Sequence, residues 1–319
     1  MPITIVTVIV AYRLPTNGED DVRTIGVIGA PSSAGAYAPG QEQTPAALRE
    51  IGLLRDLADR GVTVHDRGDT PPFRWAPDRD SPRAQNVAAV ARTIEAVAGS
   101  VAAAIAAGER ALVLGGDCTV GLGAVRALAA TPGHGLLYLD MHTDMNTPES
   151  TRDGALDWMG VAHLLGLDGC VPALIPAAPL APRRLSVLGF EESQATAWER
   201  EQIAALEIAT ASAATLIANP GQAAEQALAA LAADCSRIAV HFDVDVIDFV
   251  DAPLSQNTGR NVGVPQASAL AALDTLLSDP RVATVTVTEL NPVHGAADGS
   301  TLAEFARGLA AAIAGWSRS

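Results

Sequence analysis

The sequence predicts an α/β fold in which helices pack against a mostly parallel central sheet. Short apolar runs of strand length alternate with longer stretches of helical periodicity along nearly the whole chain. This alternation is typical of βαβ crossovers. Polar side chains that can bind ligands follow several of the apolar runs. Because parallel sheets bind ligands beyond the carboxyl ends of their strands, both observations predict the same architecture.

Apolar runs bounded by turn residues predict the strands, and the first run ends at Pro31, which cannot donate to a β ladder. The predicted strands are 24–31, 62–66, 111–114, 135–139, 185–189, 238–243 and 282–288. Apolar residues at helical spacing predict the helices. The predicted helices are 44–61, 84–108, 157–166, 196–206, 221–233, 265–277 and 300–314. The first helix is expected to begin with the Thr44 hydroxyl as N-cap and Pro45 at N1.

Residues 1–23 form an N-terminal extension in this prediction. Its apolar segment 3–10 is short and lacks a basic flank, so an extra strand is expected there, with a non-native start of the chain as the alternative. Residues 12–22 are polar and contain Pro15 and Asn17-Gly18, which predicts a linker. No domain boundary follows, and residues 24–319 are expected to form a single domain.

Composition excludes several classes of function. The chain has 319 residues, of which 49% are hydrophobic, and its net charge of −15 argues against nucleic acid and anionic membranes as partners. All 21 basic residues are arginine, so Schiff-base, pyridoxal phosphate and P-loop lysines are excluded. The three cysteines, Cys118, Cys170 and Cys235, show no CxxC spacing. They indicate a reducing compartment, and we expect a cytoplasmic protein.

Three potential metal ligands follow the apolar run 135–139. Asp140, His142 and Asp144 are spaced two residues apart, so strand alternation would place their side chains on one face. One imidazole between two carboxylates suits a divalent transition ion. The alternative is a plain turn, since Asp, Thr and Asn are turn formers.

A second apolar run, 238–243, repeats the pattern with Asp243, Asp245 and Asp248. Carboxylates at the ends of two buried strands would repel each other and raise each other's pKa unless a cation lay between them. The two runs together therefore favour a metal site over a pair of turns.

Five segments in this order resemble the arginase/agmatinase (ureohydrolase) family. They are 25–31, 115–119, 140–146, 242–245 and 289–292. The resemblance implies a three-layer α/β/α fold and a centre of two Mn²⁺ ions that hydrolyses a small cationic guanidino substrate to urea and an amine. It also implies a homo-oligomer, either a trimer or a hexamer.

The resemblance implies a role for each matching residue. Asp140 and Asp243 would bridge the two metals, and Asp144 would bind the first. His142 and Asp245 would complete the second site. In the same way, Glu289 is similar to the carboxylate that pairs with the guanidinium group, and Asn146 to a residue that contacts substrate.

Three positions depart from the family pattern. Cys118 stands where the family has a histidine ligand of the first metal; a thiolate favours zinc or iron over manganese, so the first site is expected to be weak or to hold another divalent metal. The alternative is a small buried side chain that leaves that site unfilled. Asp157 stands where arginases have a proton-transferring histidine, with a surface position as the alternative. Glu192 and Gln194 lie near the place where arginases hold the substrate's α-amino group with acidic residues; one carboxylate is kept and one is lost, so free arginine is less expected as the substrate.

The remaining histidines are not assigned to the site. His65, His134 and His294 are expected in loops or at the surface, and His163 in the core of an apolar helix. His241 shares a face with Asp243. However, the neighbouring carboxylates suffice as ligands without it.

These observations predict a metal-dependent hydrolase of a guanidino or amidino compound that releases urea. An N-hydroxyguanidine such as N-hydroxyarginine, which would release hydroxyurea, is an open variant because its nitrogen is less basic. The alternative is a metal-binding or regulatory homologue without turnover. The many retained carboxylates argue against the alternative, since a decayed site has no physical reason to keep side chains that repel each other.

Overall fold

The computed structural model describes residues 23–319, and its strands form one eight-stranded parallel sheet. The strands are β1 (Ile25–Gly29), β2 (Val64–Asp69), β3 (Arg110–Leu114), β4 (His134–Leu139), β5 (Leu185–Phe190), β6 (Ala209–Ser212), β7 (Arg237–Asp243) and β8 (Val282–Thr288). Their order across the sheet is β2-β1-β3-β8-β7-β4-β5-β6. The predicted extra strand at 3–10 and the linker at 12–22 lie outside the described residues.

Helices cover both faces of the sheet. They are α1 (Thr44–Glu50), α2 (Leu53–Asp59), α3 (Val87–Ala106), α4 (Thr119–Leu128), α5 (Gly160–Leu165), α6 (Ala197–Leu206), α7 (Ala213–Ala218), α8 (Pro220–Ala230), α9 (Gln266–Leu277) and α10 (Ser300–Trp316). One apolar cluster joins α8, α9 and α10 to the sheet, and two others pack α3 and α4 against it. The predicted three-layer α/β fold is therefore confirmed, and the sheet is parallel throughout.

The order of the strands decides where the site lies. β3, β8, β7 and β4 are adjacent at the centre of the sheet, although β3 and β8 are far apart in sequence. All the pairs are parallel, so the carboxyl ends of these four strands meet at one edge. Each of the predicted ligand motifs begins at the end of one of these strands.

The first predicted helix is in fact two helices. Gly52 has a φ of 97°, a left-handed conformation that ends α1 and starts α2. Thr44 does not act as the expected N-cap, because Gln43 occupies that position without a side-chain cap. Instead, the Thr44 hydroxyl donates to the carbonyl of Leu290 at 2.5 Å, and this contact ties α1 to the segment after β8.

Other differences from the sequence prediction are local. β2 runs from Val64 to Asp69, whereas the predicted strand ends at residue 66. α4, β6 and α7 were not predicted. Gly121 and Gly123 weaken the helical pattern of α4, β6 lies at the sheet edge with none of its residues fully buried, and α7 has only six residues. His134 was expected in a loop or at the surface, but it begins β4 and is only 8% exposed.

Among the described residues, α3 is the one helix whose length and composition would allow it to cross a membrane. It contains Arg92 and Glu95, and its buried face includes Ile94, Val97 and Val101. Those side chains pack in the apolar clusters that α3 shares with α4 and the sheet. This is the environment of a core helix.

Candidate metal centre

The four central strands deliver the chemistry-bearing residues to one place. Cys118 follows β3 and directly precedes α4, and Asp140 follows β4. Asp243 is the last residue of β7, and Glu289 follows β8. All four side chains are buried, so the sequence places a thiol and three carboxyl groups beyond the sheet edge and away from bulk water.

The segment after β4 is shaped by its own side chains. Asp140 Oδ1 accepts a hydrogen bond of 2.6 Å from the backbone N–H of His142. Asp144 has a φ of 51°, which turns the chain, and its Oδ2 accepts from the Tyr138 hydroxyl. Thr143 donates to Glu199 Oε1 at 2.8 Å, so this turn is anchored to α6.

Two groups of side chains can each hold a metal ion. The first, the Cys118 cluster, consists of Cys118, Asp140, His241 and Asp243; one donor atom from each lies within 4.8 Å of the others. The second, the His142 cluster, consists of Asp140, His142 and Asp245 and meets the same criterion. Asp140 belongs to both clusters, so the two candidate sites share one carboxylate.

Hydrogen bonds hold both clusters together. The Cys118 thiol donates to Asp243 Oδ2 at 2.7 Å, and the backbone N–H of Asp245 donates to Asp243 Oδ1 at 2.7 Å. In the other cluster, His142 Nδ1 lies 3.1 Å from Asp245 Oδ2 and 3.3 Å from Asp140 Oδ1. One imidazole thus faces two carboxylates.

Two buried oxygens test whether these residues fit a metal. Asp140 Oδ2 and Asp245 Oδ1 have no hydrogen-bond partner among residues 23–319. An unpaired buried carboxylate oxygen costs free energy, and a cation is one partner that removes this cost. Carboxylate, imidazole and thiolate donors all bind divalent transition ions. The donor set therefore fits the metal centre predicted from the sequence.

Burial and like charges dominate the electrostatics. Burial, and next the charge of Asp245, raise the pKa of Asp140 to about 7. Burial, and next the charge of Asp243, hold the pKa of the Cys118 thiol well above its usual value. Burial also acts on Asp245, but the charge and hydrogen bond of His142 lower the pKa of Asp245.

Glu289 lies beside the Cys118 cluster in a constrained backbone conformation. Its φ is 59°, and its side chain accepts two hydrogen bonds of 3.0 Å, from the Cys118 backbone N–H to Oε1 and from Gln41 Nε2 to Oε2. Burial, followed by the charge of Asp117, raises the pKa of Glu289 to about 8. The carboxylate is thus fixed from two sides at the edge of the candidate site.

A cavity of about 480 Å³ opens above both clusters. Its acidic lining residues are Asp144, Asp153, Asp157, Glu199, Asp243, Asp245 and Glu289. Among the described residues that line it, His142 alone can carry a positive charge. The cavity therefore favours a small cationic ligand.

Comparison with known proteins identifies the family. A sequence model of the arginase family matches residues 23–314. The chain belongs to the arginase family. An arginase of Glaciozyma antarctica is 31% identical over 292 residues, which cover 86% of this chain and 82% of the relative.

The other similarities agree with this assignment. Human Arginase-1 is 41% identical over 154 residues, so the chain spans about half the length of that relative: 47% of each protein is aligned. The crystal structure of arginase from Bacillus subtilis superposes with a TM-score of 0.77 at 25% identity, covering 90% of this chain and 98% of that one. The resemblance stated from the sequence motifs is confirmed.

This arginase-family chain brings together most of the predicted site residues. Cys118, Asp140 and Asp243 meet in one cluster, and His142 and Asp245 join Asp140 in the other. Asp144 belongs to neither cluster, and Asp243 belongs to one rather than to both. The ligand and bridging roles predicted for these residues stay predictions.

The predicted substrate-contacting residues have mixed outcomes. Asn146 and Asp157 line the cavity, and Asp157 is only 5% exposed, so its alternative surface position is wrong. Glu192 is exposed in a short turn and does not line the cavity, whereas its neighbour Gln194 does. Glu192 begins a short 3-10 helix, Glu192–Gln194, in which the backbone N–H of Ser193 donates to Glu191 Oε1.

Several residues of the arginase-family site were missed from the sequence. Glu199 forms a capping box with Thr196 at the start of α6 and also supports the turn after β4. The Thr-x-x-Glu spacing could have predicted the capping box. Gln41 lies in a short 3-10 helix and no local pattern marks it, whereas Asp117 lies within the matching segment 115–119 but was given no role there. His241 was set aside in the sequence prediction, but it lies in the Cys118 cluster.

Proposed function

We propose that this chain hydrolyses the C–N bond of a small guanidino compound and releases urea and an amine. The observation that carries the proposal is the pair of donor clusters that share Asp140 at the floor of an acidic cavity, beside Glu289. Guanidinium groups resist attack by water because of resonance. Divalent ions, when bound, would supply the Lewis acidity that ionises water near neutral pH.

The protein's own residues would bind and orient the substrate. Glu289 has its two carboxyl oxygens held by Cys118 and Gln41, and such a fixed fork suits the paired N–H groups of a guanidinium. The positive charge of a bound guanidinium would favour the ionised form of Glu289 and so act against its raised pKa. Asn146 lines the cavity and its Oδ1 accepts from Thr196 at 2.9 Å, which fixes the amide for contact with the rest of the substrate. Correct positioning of this kind lowers the barrier to reaction.

Asp157 is the proposed group for proton transfer to the departing amine. Burial, and next the charge of Glu289, hold the pKa of the Asp157 carboxyl well above its usual value, which favours the protonated form that a general acid needs. Its Oδ1 accepts from the backbone N–H of Trp158 at 2.9 Å, which orients the side chain at the cavity wall.

The tail of the substrate is proposed to be neutral or cationic. Asp153 lines the cavity, and none of the described residues that line it is an arginine. A carboxylate tail would meet like charge there, whereas an amine tail would meet opposite charge. A decarboxylated guanidinoalkylamine therefore fits the lining better than a free amino acid.

Cys118 supports an N-hydroxyguanidine as a second candidate substrate. A hydroxylated nitrogen is less basic, so hydrolysis would depend less on strong cation recognition and on full occupancy of the Cys118 cluster. For the His142 cluster, which has no sulfur donor, we propose manganese.

The test is a substrate panel with the metal-loaded protein. Arginine, agmatine and N-hydroxyarginine should be compared, with urea and hydroxyurea measured separately. Urea release that is lost after chelation and restored by a divalent metal supports the proposal. If the fully loaded protein binds metal but releases neither product from any guanidino compound, the chain is a binding homologue.

A further inference from the structure

His241 is a buried imidazole that the proposed mechanism does not use. It lies on β7 two residues before Asp243, is 1% exposed, and has a ring nitrogen within 4.8 Å of the donor atoms of Cys118, Asp140 and Asp243. We propose that His241 is a metal ligand, and that with Cys118 it makes the first site a thiolate–imidazole site for a zinc-like ion. The inference rests on the proposed function, because it assumes that this centre binds metal.

The ring of His241 is held as a ligand would need to be. It stacks on Tyr138 with 4.3 Å between ring centroids and 11° between the planes. Its Nδ1 lies 3.0 Å from the Thr286 hydroxyl, which can accept the Nδ1–H and leave the Nε2 lone pair free. Histidine ligands in metal sites usually donate their other ring N–H to a fixed oxygen in this way.

Thr288 connects His241 to the thiol. Its hydroxyl lies 2.9 Å from His241 Nε2 and 3.7 Å from Cys118 Sγ. A hydroxyl rotates freely, so it can turn from Nε2 to the sulfur when Nε2 takes a metal. The Cys118 thiolate then accepts a hydrogen bond from the Thr288 hydroxyl. His241, Thr288 and Cys118 each have a partner in this arrangement.

The protein leaves space for this imidazole at Gly121 of α4. A Cβ atom added to Gly121 would lie 2.3 Å from His241 Nδ1, far inside van der Waals contact. Any other residue at this position would therefore push the ring away from Thr286. The glycine is a second observation, distant in sequence, that points to the same ring position.

His241 adds a neutral donor to the Cys118 cluster. Asp144 lies outside this cluster, and its Oδ2 accepts a hydrogen bond from the Tyr138 hydroxyl. The imidazole of His241 adds no negative charge to a group that already contains two carboxyls and a thiol. Asp140 Oδ2 is fully buried and has no partner among residues 23–319, so an oxygen donor is available there as well.

Sulfur and nitrogen donors decide which ion is preferred. Thiolate and imidazole suit zinc and cobalt, and manganese has the weakest affinity in the first-row series for such donors. The His142 cluster contains no sulfur and keeps the oxygen-rich character that suits manganese. We therefore expect a mixed centre, with a zinc-like ion in the Cys118 cluster.

The experiment uses the full chain, stripped of metal and titrated with Co²⁺, which reports thiolate ligation through a charge-transfer band and coordination geometry through its d–d bands. His241→Phe keeps an aromatic ring against Tyr138 and removes both nitrogens. Gly121→Ala should displace the His241 ring without replacing any of the proposed ligands. Gly99→Ala in α3 is the control, since nothing lies within 4 Å of the added Cβ.

In the wild type and in Gly99→Ala we expect the thiolate band and tight Co²⁺ binding. His241→Phe and Gly121→Ala should each weaken Co²⁺ binding by roughly 10- to 100-fold, keep the thiolate band and change the d–d pattern. Competition between Zn²⁺ and Mn²⁺ should show a zinc preference in the wild type that falls in both variants.

Wild-type affinity and an unchanged d–d pattern in both variants would overturn His241 as a ligand. Equal binding of Zn²⁺ and Mn²⁺ by the wild type would overturn the ion preference. If His241→Phe fails to fold, Gly121→Ala decides the first question. Failure of the wild type to bind any divalent ion would contradict the proposed function itself. If the wild type binds metal and hydrolyses substrate while the variants are unchanged, this inference alone falls.

Discussion

The backbone N–H of Cys118 donates a hydrogen bond of 3.0 Å to Oε1 of Glu289. The two residues are 171 positions apart in sequence, and the bond joins the start of α4 to the end of β8. This hydrogen bond directly connects the residue whose thiol is proposed to bind metal with the carboxylate that is proposed to bind guanidinium. A substitution at either residue should therefore be judged by both metal content and substrate affinity.

Glu289→Gln should weaken substrate binding and leave the metal in place. Glutamine keeps an acceptor for the Cys118 N–H but removes the charge. Loss of one charge-assisted pair costs about 1.5–3 kcal/mol, which corresponds to roughly a 10- to 150-fold fall in kcat/KM. Metal per chain and kcat/KM are the measurements, and Glu192→Gln is the control because Glu192 is exposed outside the cavity. Loss of metal with normal substrate affinity would identify Glu289 as a ligand.

Asp243→Ala should lose metal and turnover together. The two carboxylate oxygens of Asp243 accept hydrogen bonds from the Cys118 thiol and from the backbone N–H of Asp245. Alanine cannot accept either bond, so the Cys118 cluster should lose its geometry as well as one donor. Asp248→Asn is the control on the same segment, because Asp248 accepts from the backbone of Val250 and Val262 and belongs to neither cluster. A normal rate with normal metal content in Asp243→Ala would show that the ligand assignment is wrong.

Cys118→His should raise manganese occupancy, and Cys118→Ser should lower it without unfolding the chain. Imidazole brings no charge to a site where a thiolate would join two carboxylates, and it suits manganese better than sulfur does. The measurement is manganese per chain after dialysis at fixed pH, beside turnover of arginine and N-hydroxyarginine. Equal occupancy in the wild type and both variants would exclude Cys118 as a ligand.

Asp157→Asn should lower kcat and leave metal content unchanged. The amide has the shape of the carboxyl group but cannot deliver its proton, and loss of general acid–base catalysis typically costs roughly 10²–10⁴-fold. Asp153→Asn is a suitable comparison, since Asp153 also lines the cavity and is not assigned a proton-transfer role. An unchanged kcat in Asp157→Asn contradicts the proposed role.

His163 predicts a pH dependence of stability in the metal-stripped chain. Its Nδ1 lies 2.6 Å from the Met159 carbonyl and its Nε2 accepts from the Val171 N–H at 3.1 Å, so both nitrogens fit the neutral ring. Burial lowers the pKa of His163 from 6.5 to about 4. The folded state then binds fewer protons than the unfolded state, so this contribution is present above pH 6.5 and is lost as the pH falls towards 4.

The contribution of His163 to the free energy of unfolding falls by roughly 3 kcal/mol between about pH 6.5 and about pH 4. Free energies of unfolding at pH 7 and at pH 4.5 should therefore differ less in His163→Gln than in the wild type. A pH dependence that is identical in the two proteins would show that the imidazole titrates normally in the folded chain.

The part of the site that sequence predicts well lies at the ends of strands. Asp140 and Asp243 could be placed at the same edge because parallel strands bring their carboxyl ends together, whereas their contact also depends on β4 lying next to β7 in the sheet. The alternation of apolar runs and helical segments likewise predicts a central sheet with helices packed on it. These features depend on periodicity, which a single sequence contains.

The remaining features depend on the path of a loop or on a distant neighbour. Glu192 and Gln194 are two residues apart in one short 3-10 helix, yet only Gln194 lines the cavity. His241 could be placed on the face of Asp243 from its spacing. The space for the His241 ring, however, exists because Gly121 of α4 has no side chain, and no local sequence pattern links these two residues.

Asp144 and Glu289 both have a left-handed backbone, with φ values of 51° and 59°. Such conformations cost non-glycine residues about 1–3 kcal/mol each, and glycine adopts them freely. A library of this protein screened for thermal tolerance alone should therefore enrich glycine at positions 144 and 289. Each such variant would trade a cavity carboxylate for a more relaxed chain, so thermostability engineering of this scaffold has to hold both positions fixed.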